Sequence, residues 1–321
     1  MHWDWYGGYP PYAITPLAGI RALAGAEVNV SYTADNTADA AVAAARSADV
    51  AIVVVGNDPT CGSNMATDWT DNGTKPCADP GDGREGRDRE TLALAQEQLV
   101  KQVKAANPRT IMVLVSSFPY TINWSQANVP AILHTAHSSQ DEGWALAQVL
   151  FGQYNPGGHE VVTWPASISQ LPPMLDYDIR HGHTYMYAKG APLYPFGHGL
   201  SYTNFRYANL RVDRADLSRA GQVAVSVDVT NTGAVTGDAV PQLYIRHLTS
   251  RVARPALQLA GFSRVQLAGG QTKTVQIPLK AAQLAYWDNT RHGLTVEQER
   301  IQIMIGASSA DIRLRRSLRV R

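Results

Sequence analysis

The chain has 321 residues, 45% of them hydrophobic, and its 28 basic side chains nearly balance its 27 acidic ones. This length accommodates two domains of ordinary size, each with its own hydrophobic core. The balanced charge, without an evident basic patch or tail, argues against nucleic acid or an anionic membrane as the main partner and favours a neutral, sugar-like substrate. No membrane span and no signal peptide are expected in this chain.

Strand-like and helix-like segments alternate in the first half of the chain, which predicts an α/β fold with an open, mostly parallel sheet. A short segment, 27–32, precedes them as a further predicted strand. The predicted helices are Thr37–Ser47, Arg89–Ala106 and Glu142–Phe151, and the predicted strands are Val50–Val55, Thr110–Val115, Ala131–His134 and Glu160–Trp164.

Beyond about residue 200 the pattern changes to short segments that alternate with period two, separated by turn residues. This pattern predicts an antiparallel, all-β sandwich. Its clearest predicted strands are Val223–Val229, Gln242–Ile245, Lys273–Ile277 and Arg300–Ile305.

The two cysteines, Cys61 and Cys77, lie in one polar loop that is rich in Gly, Pro and Asp. Such a pair can close a disulfide, which would stabilise the fold by roughly 3 kcal/mol and would require an oxidising compartment. The alternative is a pair of reduced thiols in a loop. We expect the disulfide, and with it a secreted or periplasmic location.

The loop from Gly83 to Arg89 packs two acids and three arginines between glycines. It follows the buried strand Val50–Val55, and ligands of open α/β sheets bind beyond the carboxyl ends of the strands. The loop is therefore a candidate for positioning a carboxylate, and the alternative is a solvated run of charges.

Polar residues also follow three of the predicted strands, at positions that parallel strands bring to one edge of the sheet. A serine, a histidine and an acid at such an edge contain the parts of a nucleophilic triad, although no Gly-x-Ser-x-Gly elbow is present. The candidates are the nucleophiles Ser116, Ser117, Ser138 and Ser139, the base His137 and the acid Asp58.

Several segments taken together resemble the C-terminal half of glycoside hydrolase family 3, the β-glucosidase and β-xylosidase family. They occur in the order of the family and span nearly the whole chain. They are Tyr6-Gly7-Gly8 with Thr15-Pro16-Leu17, Glu85-Gly86-Arg87-Asp88-Arg89, Asn155-Pro156-Gly157-Gly158, Tyr194-Pro195-Phe196-Gly197-His198-Gly199, and Asn231-Thr232-Gly233.

The resemblance implies an α/β sandwich domain over residues 1–203, incomplete at its N-terminus, and a fibronectin type III-like domain over 204–321. In the family a TIM barrel carries an aspartate nucleophile, and the α/β sandwich carries the acid/base glutamate. The matching residue here is Glu85, with Asp88 and Arg89 as its supporting ion pair. The resemblance does not extend to the barrel, so this chain is expected to lack the nucleophile. A retaining glycosidase needs both carboxyl groups.

The resemblance also implies a plant-type oligosaccharide or aryl glycoside as substrate, without a cofactor, and a barrel-bearing partner or a homo-oligomer. Two alternatives remain open: a carboxylesterase of acetyl or feruloyl esters that uses the sheet-edge serines, and a carbohydrate-binding module without catalysis. Residues expected to contact substrate are Asp58, Arg84, Arg89, His181 and His183.

Overall fold

The computed structural model describes residues 11–34, 38–59, 61, 77, 79, 81–84, 87–137 and 140–321. These residues form two compact units. The α/β unit comprises the described residues up to Tyr154 together with Pro165–Ile168, and the β-sandwich unit comprises Asn155–Trp164 with Ser169–Arg321.

Helices and strands alternate along the α/β unit, as the sequence predicts. Their bounds are α1 (Pro16–Ala24), α2 (Ala38–Ser47), β1 (Ala51–Gly56), α3 (Glu97–Ala106), β2 (Thr110–Val115), α4 (Asn123–Asn128), β3 (Ala131–Thr135) and α5 (Glu142–Leu150).

Strands β1, β2 and β3 form a parallel sheet in that order, which confirms the predicted fold class of this region. The central strand is the most deeply buried, with Met112, Val113 and Leu114 at 0% exposure. Parallel strands end at a common edge, so the residues that follow β1, β2 and β3 lie at the same side of the sheet. Four predicted site residues, Asp58, Ser116, Ser117 and His137, follow these strands at this edge.

Helix α3 begins at Glu97, eight residues later than the sequence pattern predicts. In the intervening segment Leu92 and Leu94 are buried while their sequence neighbours are exposed, which is the period of an extended backbone. The backbone N–H of Thr121 donates to the carbonyl of Leu92 at 2.8 Å. Pairing with a distant segment therefore replaces the first two turns of the predicted helix.

Two predicted strands are wrong. Within the described part of the chain, neither 27–32 nor 160–164 joins a sheet. Tyr32 is exposed. Residues 160–164 exchange backbone hydrogen bonds with 193–198 at Glu160 and Trp164, but this contact forms an isolated bridge between Trp164 and Tyr194 and not a ladder. A β-strand needs consecutive residues that pair with a neighbouring strand.

Helices α1 and α5 approach each other closely because glycines stand at their contact. A Cβ on Gly19 would lie 2.1 Å from the carbonyl oxygen of Gly143. A Cβ on Gly143 would lie equally close to the carbonyl oxygen of Thr15, which caps α1 by accepting a hydrogen bond from the backbone of Ala18. Only glycine fits at these two positions.

The β-sandwich unit contains one short α-helix and strands that pair antiparallel, as the sequence predicts, except that Asp216–Leu217 pairs parallel with Ile312–Val320. Their bounds are α6 (Thr184–Tyr187), β4 (Phe205–Val212), β5 (Asp216–Leu217), β6 (Gln222–Asn231), β7 (Gly237–Ala239), β8 (Gln242–His247), β9 (Gln258–Phe262), β10 (Val265–Leu267), β11 (Thr272–Lys280), β12 (Tyr286–Asp288), β13 (Gly293–Thr295), β14 (Arg300–Gly306) and β15 (Ile312–Val320).

Two sheets enclose the core of this unit. One has the strand order β11-β6-β4 and the other β5-β15-β14-β8-β9, with β7–β10 and β12–β13 as additional pairs. Alternate residues of β6 and β14, among them Val225, Val227, Ile301 and Ile303, are at most 2% exposed and face this core. The predicted all-β sandwich is thereby confirmed.

Hydrogen bonds join the motif around Asn155 to residues 201–202, and residue 203 to the β-sandwich. Asn155 accepts hydrogen bonds from the Ser201 hydroxyl at 2.9 Å and the Tyr202 backbone at 2.8 Å. The Thr203 hydroxyl donates to Oδ1 of the fully buried Asn231 at 2.6 Å. The motif around Asn155 therefore belongs to the β-sandwich unit, while the predicted domain boundary at residue 203 stays a prediction.

Candidate functional site

The two residues that flank Glu85-Gly86 in the sequence, Arg84 and Arg87, form an isolated antiparallel bridge. Arg84 and Arg87 each donate a backbone N–H to the carbonyl of the other at 3.0 Å. Arg84 is half-buried, and its Nη1 donates to the carbonyl of Asp82 at 3.4 Å. Glu85, the predicted acid/base, lies outside the described residues, so its role stays a prediction.

Tyr120 anchors the start of this loop to the segment that follows β2. Its side chain is 0% exposed, and its hydroxyl donates a hydrogen bond to Oδ2 of Asp82. The other oxygen of this carboxylate accepts from the backbone N–H of Gly83 at 2.8 Å. Burial, reinforced by the bond to Asp82, raises the pKa of Tyr120 above its ordinary value, so the phenol stays protonated and acts as a donor.

Arg89 anchors the other end of the loop. Its guanidinium lies 3.8 Å from the centroid of the Phe118 ring and 5.0 Å from that of Tyr120. Its Nη2 donates to the carbonyl of Pro119 at 2.6 Å. Burial lowers the pKa of Arg89, and electrostatic interactions with Tyr120 and Asp82 oppose this effect. A cation held against aromatic rings in this way is worth about 0.5–2 kcal/mol.

These contacts change the predicted role of Arg89. Its guanidinium faces Phe118 and Tyr120, and Asp88 forms no ion pair with it among the described residues. Consecutive side chains of an extended segment point in opposite directions, which separates Asp88 from Arg89. Arg89 therefore anchors the loop, and the support that Asp88 and Arg89 would give to Glu85 stays a prediction. No pattern in the sequence indicates that Asp82 and Tyr120, which lie 38 positions apart, are partners.

A disulfide joins Cys61 to Cys77, as predicted. Cys61 lies directly beyond the end of β1, where its backbone N–H donates to the carbonyl of Asp58 at 3.4 Å. Asp58, a predicted substrate contact, is half-buried at this position. The bridge fixes both ends of the Gly, Pro and Asp-rich segment between β1 and the Glu85 loop.

At the edge of the sheet, Ser116 contacts a different histidine from the one that the sequence suggested. Its Oγ lies 3.1 Å from Nε2 of His134, and its backbone N–H donates to the carbonyl of Thr135 at 3.0 Å. The serine is only 1% exposed. A serine nucleophile must reach an acyl carbon, so this burial disfavours Ser116 as the catalytic residue of an esterase.

His137 instead contacts Asn57. The side-chain Oδ1 of Asn57 accepts from the backbone N–H of Ser117 at 3.0 Å and lies 3.2 Å from Nε2 of His137. An amide oxygen only accepts hydrogen bonds, so Nε2 of His137 acts as the donor in this contact. The candidates Ser138 and Ser139 lie outside the described residues.

The other predicted substrate contacts, His181 and His183, belong to the β-sandwich unit. Nδ1 of His181 lies 2.8 Å from Oδ2 of Asp176, and Nε2 of His183 donates to the Asp176 backbone carbonyl at 2.7 Å. The bond from His181 is the main reason that the pKa of Asp176 is lowered. Asp176 therefore orders both histidines within their own loop.

Neither a metal site nor a membrane helix is found where the chain is described. No group of three or more His, Cys, Asp or Glu side chains in these ranges is arranged to hold a metal ion. None of the described helices combines the length and apolar character needed to cross a bilayer.

Comparison with known families gives two matches. The model of the glycosyl hydrolase family 3 C-terminal domain matches residues 1–202, and that of a fibronectin type III-like domain matches residues 239–309.

Individual relatives agree with these matches. A beta-xylosidase of Formosa agariphila is 34% identical over 319 residues, covering 95% of this chain and 41% of the relative. A periplasmic beta-glucosidase of Salmonella typhimurium is 32% identical, with coverages of 86% and 35%. The crystal structure of a beta-D-glucoside glucohydrolase from Trichoderma reesei superposes with a TM-score of 0.82 at 29% identity, with coverages of 97% and 46%. The chain thus spans less than half the length of each of these proteins.

Proposed function

Since the chain belongs to glycosyl hydrolase family 3, we propose that it serves in the hydrolysis of β-glycosides and supplies the general acid/base, Glu85. The observation that carries this proposal is the anchoring of the Glu85 loop at both ends. Tyr120 holds Asp82 before the glutamate, and the rings of Phe118 and Tyr120 hold Arg89 after it. A general acid must be positioned within hydrogen-bond reach of the leaving oxygen, and a fixed loop serves this requirement.

In the proposed reaction Glu85 protonates the glycosidic oxygen while a second carboxylate attacks the anomeric carbon from the opposite face. Glu85 then takes a proton from the water that releases the sugar. In retaining enzymes the two carboxyl groups lie only about 5 Å apart. We assign no residue of this chain as the nucleophile, and propose that a barrel-bearing partner domain or polypeptide supplies it.

The charges near Glu85 bear on its acidity. A general acid must hold its proton at the working pH, and adjacent arginines lower the pKa of a carboxyl group. The guanidinium of Arg89 is stacked on Phe118 and bonded to the carbonyl of Pro119. We propose that this engagement of Arg89 leaves Glu85 able to hold its proton.

The proposed substrates are β-glucosides and β-xylosides of the plant cell wall type, because the relatives are named beta-glucosidases and beta-xylosidases. We further propose an extracytoplasmic site of action. The Cys61–Cys77 disulfide supports it, since disulfides persist in oxidising compartments, and one relative is named a periplasmic enzyme.

The test is the substitution Glu85→Gln, which keeps size and hydrogen bonding but removes the transferable proton. With a barrel-bearing partner present, turnover of an unactivated disaccharide should fall by about 100-fold or more, and cleavage of an activated aryl glycoside should fall less. Glu90→Gln is the matched control, because it removes an exposed carboxylate five positions away. Full activity of the Glu85→Gln enzyme on the disaccharide would refute the assignment.

A second candidate function, carboxylesterase, rests on the contact between Ser116 and His134. It ranks lower because Ser116 is buried and the predicted base, His137, contacts Asn57 through Nε2. Assaying the chain on acetyl and feruloyl esters beside chromogenic glucosides and xylosides separates the candidates. Ester hydrolysis that is lost in Ser116→Ala would establish the esterase, and silence on every substrate, with or without a partner, would favour a carbohydrate-binding module.

A further inference from the structure

Four exposed arginines lie on the outer face of the five-stranded sheet of the β-sandwich unit, and we call this surface the arginine face. It consists of Arg246 on β8, Arg300 on β14, and Arg315 and Arg319 on β15. Arg300 lies directly opposite Arg319 in the β14–β15 pair. The residues that alternate with them, such as Ile301, face the core. The four side chains therefore project to the same side of the sheet.

The register places Arg246 on this surface as well. Arg246 lies opposite Gln302, which is two residues beyond Arg300 on β14. Gln302 in turn lies opposite Ser317, between Arg315 and Arg319 on β15. The surface between the arginines is thus formed by an amide and a hydroxyl, both of which can hydrogen-bond to a ligand.

None of the ion pairs in the described part of the chain includes the four side chains of the arginine face. Asp216 lies opposite Arg319 in the β5–β15 pair, but its carboxylate binds Nε of Arg321 at 3.1 Å. Like charges directly opposite each other on a sheet are destabilising. The pair Arg300 and Arg319 therefore costs the fold stability without an evident structural return.

The near-neutral net charge of the whole chain conceals this surface, so the expectation of no basic patch is wrong at this point. The arginines are scattered over 74 sequence positions, from Arg246 to Arg319, and strand pairing brings them together. Charge totals cannot detect such a cluster.

We propose that the arginine face binds an acidic polysaccharide, a glycan whose sugars carry carboxylate groups. The planar guanidinium group binds carboxylates through two parallel hydrogen bonds. Residues of a strand rise about 3.4 Å each, so Arg315 and Arg319 are about 14 Å apart along β15, and adjacent strands are about 4.8 Å apart. An extended polyanion can therefore contact several of these arginines at once, and such multivalent contacts add to the affinity.

Nucleic acid and lipid fit this surface less well. The sheet presents no helix or ribbon that could enter a DNA groove, and the residues between the arginines, Gln302 and Ser317, cannot stack on bases or insert into a bilayer. They can bond to sugar hydroxyl groups. A carboxylated glycan also agrees with the carbohydrate chemistry of the family, although the binding does not depend on Glu85.

The experiment measures binding of the full chain to polygalacturonate by affinity electrophoresis and calorimetry, with neutral arabinoxylan in parallel. The test variant is Arg300→Gln with Arg319→Gln, which should raise the Kd for polygalacturonate by about tenfold and weaken the salt dependence. The matched control is Arg206→Gln with Arg214→Gln, which removes the same charge from exposed positions elsewhere in the β-sandwich unit. The control should bind like the unmodified chain.

The variant should also melt at or above the temperature of the unmodified chain, because the substitution relieves the repulsion between Arg300 and Arg319. If it fails to fold, Arg246→Gln with Arg315→Gln provides the same test without altering the opposed pair. Equal losses in test and control variants would overturn the proposal. So would binding to arabinoxylan as tight as to polygalacturonate, or tighter binding to RNA or anionic vesicles at equal charge concentration.

Discussion

The hydroxyl of Tyr120 donates a hydrogen bond to the carboxylate of Asp82, joining the segment that follows β2 to the loop that leads to Glu85. This bond is buried at the tyrosine, which is 0% exposed. It connects the sheet, whose central strand is the most rigidly packed part of the α/β unit, to the candidate acid/base.

We expect Tyr120→Phe to lower the free energy of unfolding of the α/β unit by about 1.5–3 kcal/mol, the usual range for a hydrogen bond to a charged group. Urea denaturation measures this loss, and hydrogen exchange should increase in residues 81–89. The control is Tyr12→Phe, which removes an exposed tyrosine–carboxylate bond to Asp141 in the same unit. Similar losses in both variants would contradict a special role of the buried bond.

Stability should also fall at alkaline pH because of Tyr120. Burial and the bond to Asp82 raise its pKa above the value of about 10 that it has in the unfolded chain. The folded chain therefore keeps a proton that the unfolded chain loses. The contribution is fully present below about pH 10 and is lost as the pH rises from there. Urea titrations at pH 9 to 11 should show a shallower decline for Tyr120→Phe, and parallel curves would contradict the assignment.

Reduction of the Cys61–Cys77 disulfide should destabilise the chain by about 3 kcal/mol, because it restores conformational freedom to the segment between the two cysteines in the unfolded state. Alkylation of the denatured chain, followed by mass spectrometry, should find no free thiol before reduction and two afterwards. Cys61→Ser with Cys77→Ser should unfold at the same urea concentration as the reduced chain. Free thiols in the unreduced chain would contradict the bridge.

Gly19→Ala should destabilise the α/β unit by about 3 kcal/mol or more, because its Cβ would meet the backbone of Gly143 and helices α1 and α5 would have to separate. Thermal or urea unfolding measures the loss. Gly158→Ala is the control, since a Cβ there has no atom within 4 Å. A stable Gly19→Ala chain would show that the two helices can move apart at little cost.

The sequence predicted the elements whose hydrophobic pattern is regular. Strands β1, β2 and β3 and the main strands of the β-sandwich lie where the pattern placed them, because burial on one or both faces fixes their residue types. Helix α3 begins late because Leu92 pairs with Thr121, a contact between distant segments that no local pattern records.

The candidate site was less predictable for the same reason. Glycines and charges marked the loop around Glu85, and the sheet edge was found from strand ends. The contacts between side chains were not found from the sequence. Ser116 contacts His134 and not His137, and Arg89 contacts Phe118 and not Asp88. These pairings depend on side-chain direction and on distances across the sheet, which residue types and spacing do not specify.

Two hydrogen bonds that cross position 204 have a practical consequence for protein engineering: the Thr203 hydroxyl donates to Asn231, and the side-chain amide of Asn155 donates to the carbonyl of Thr236. A chimaera that exchanges the fibronectin-like module between homologues at residue 204 would mix donors and acceptors from two parents. A junction between Tyr154 and Asn155 would take all of these donors and acceptors from the same parent. Recombination breakpoints that preserve function should therefore cluster ahead of Asn155 and avoid the interval between it and the first strand of the sandwich.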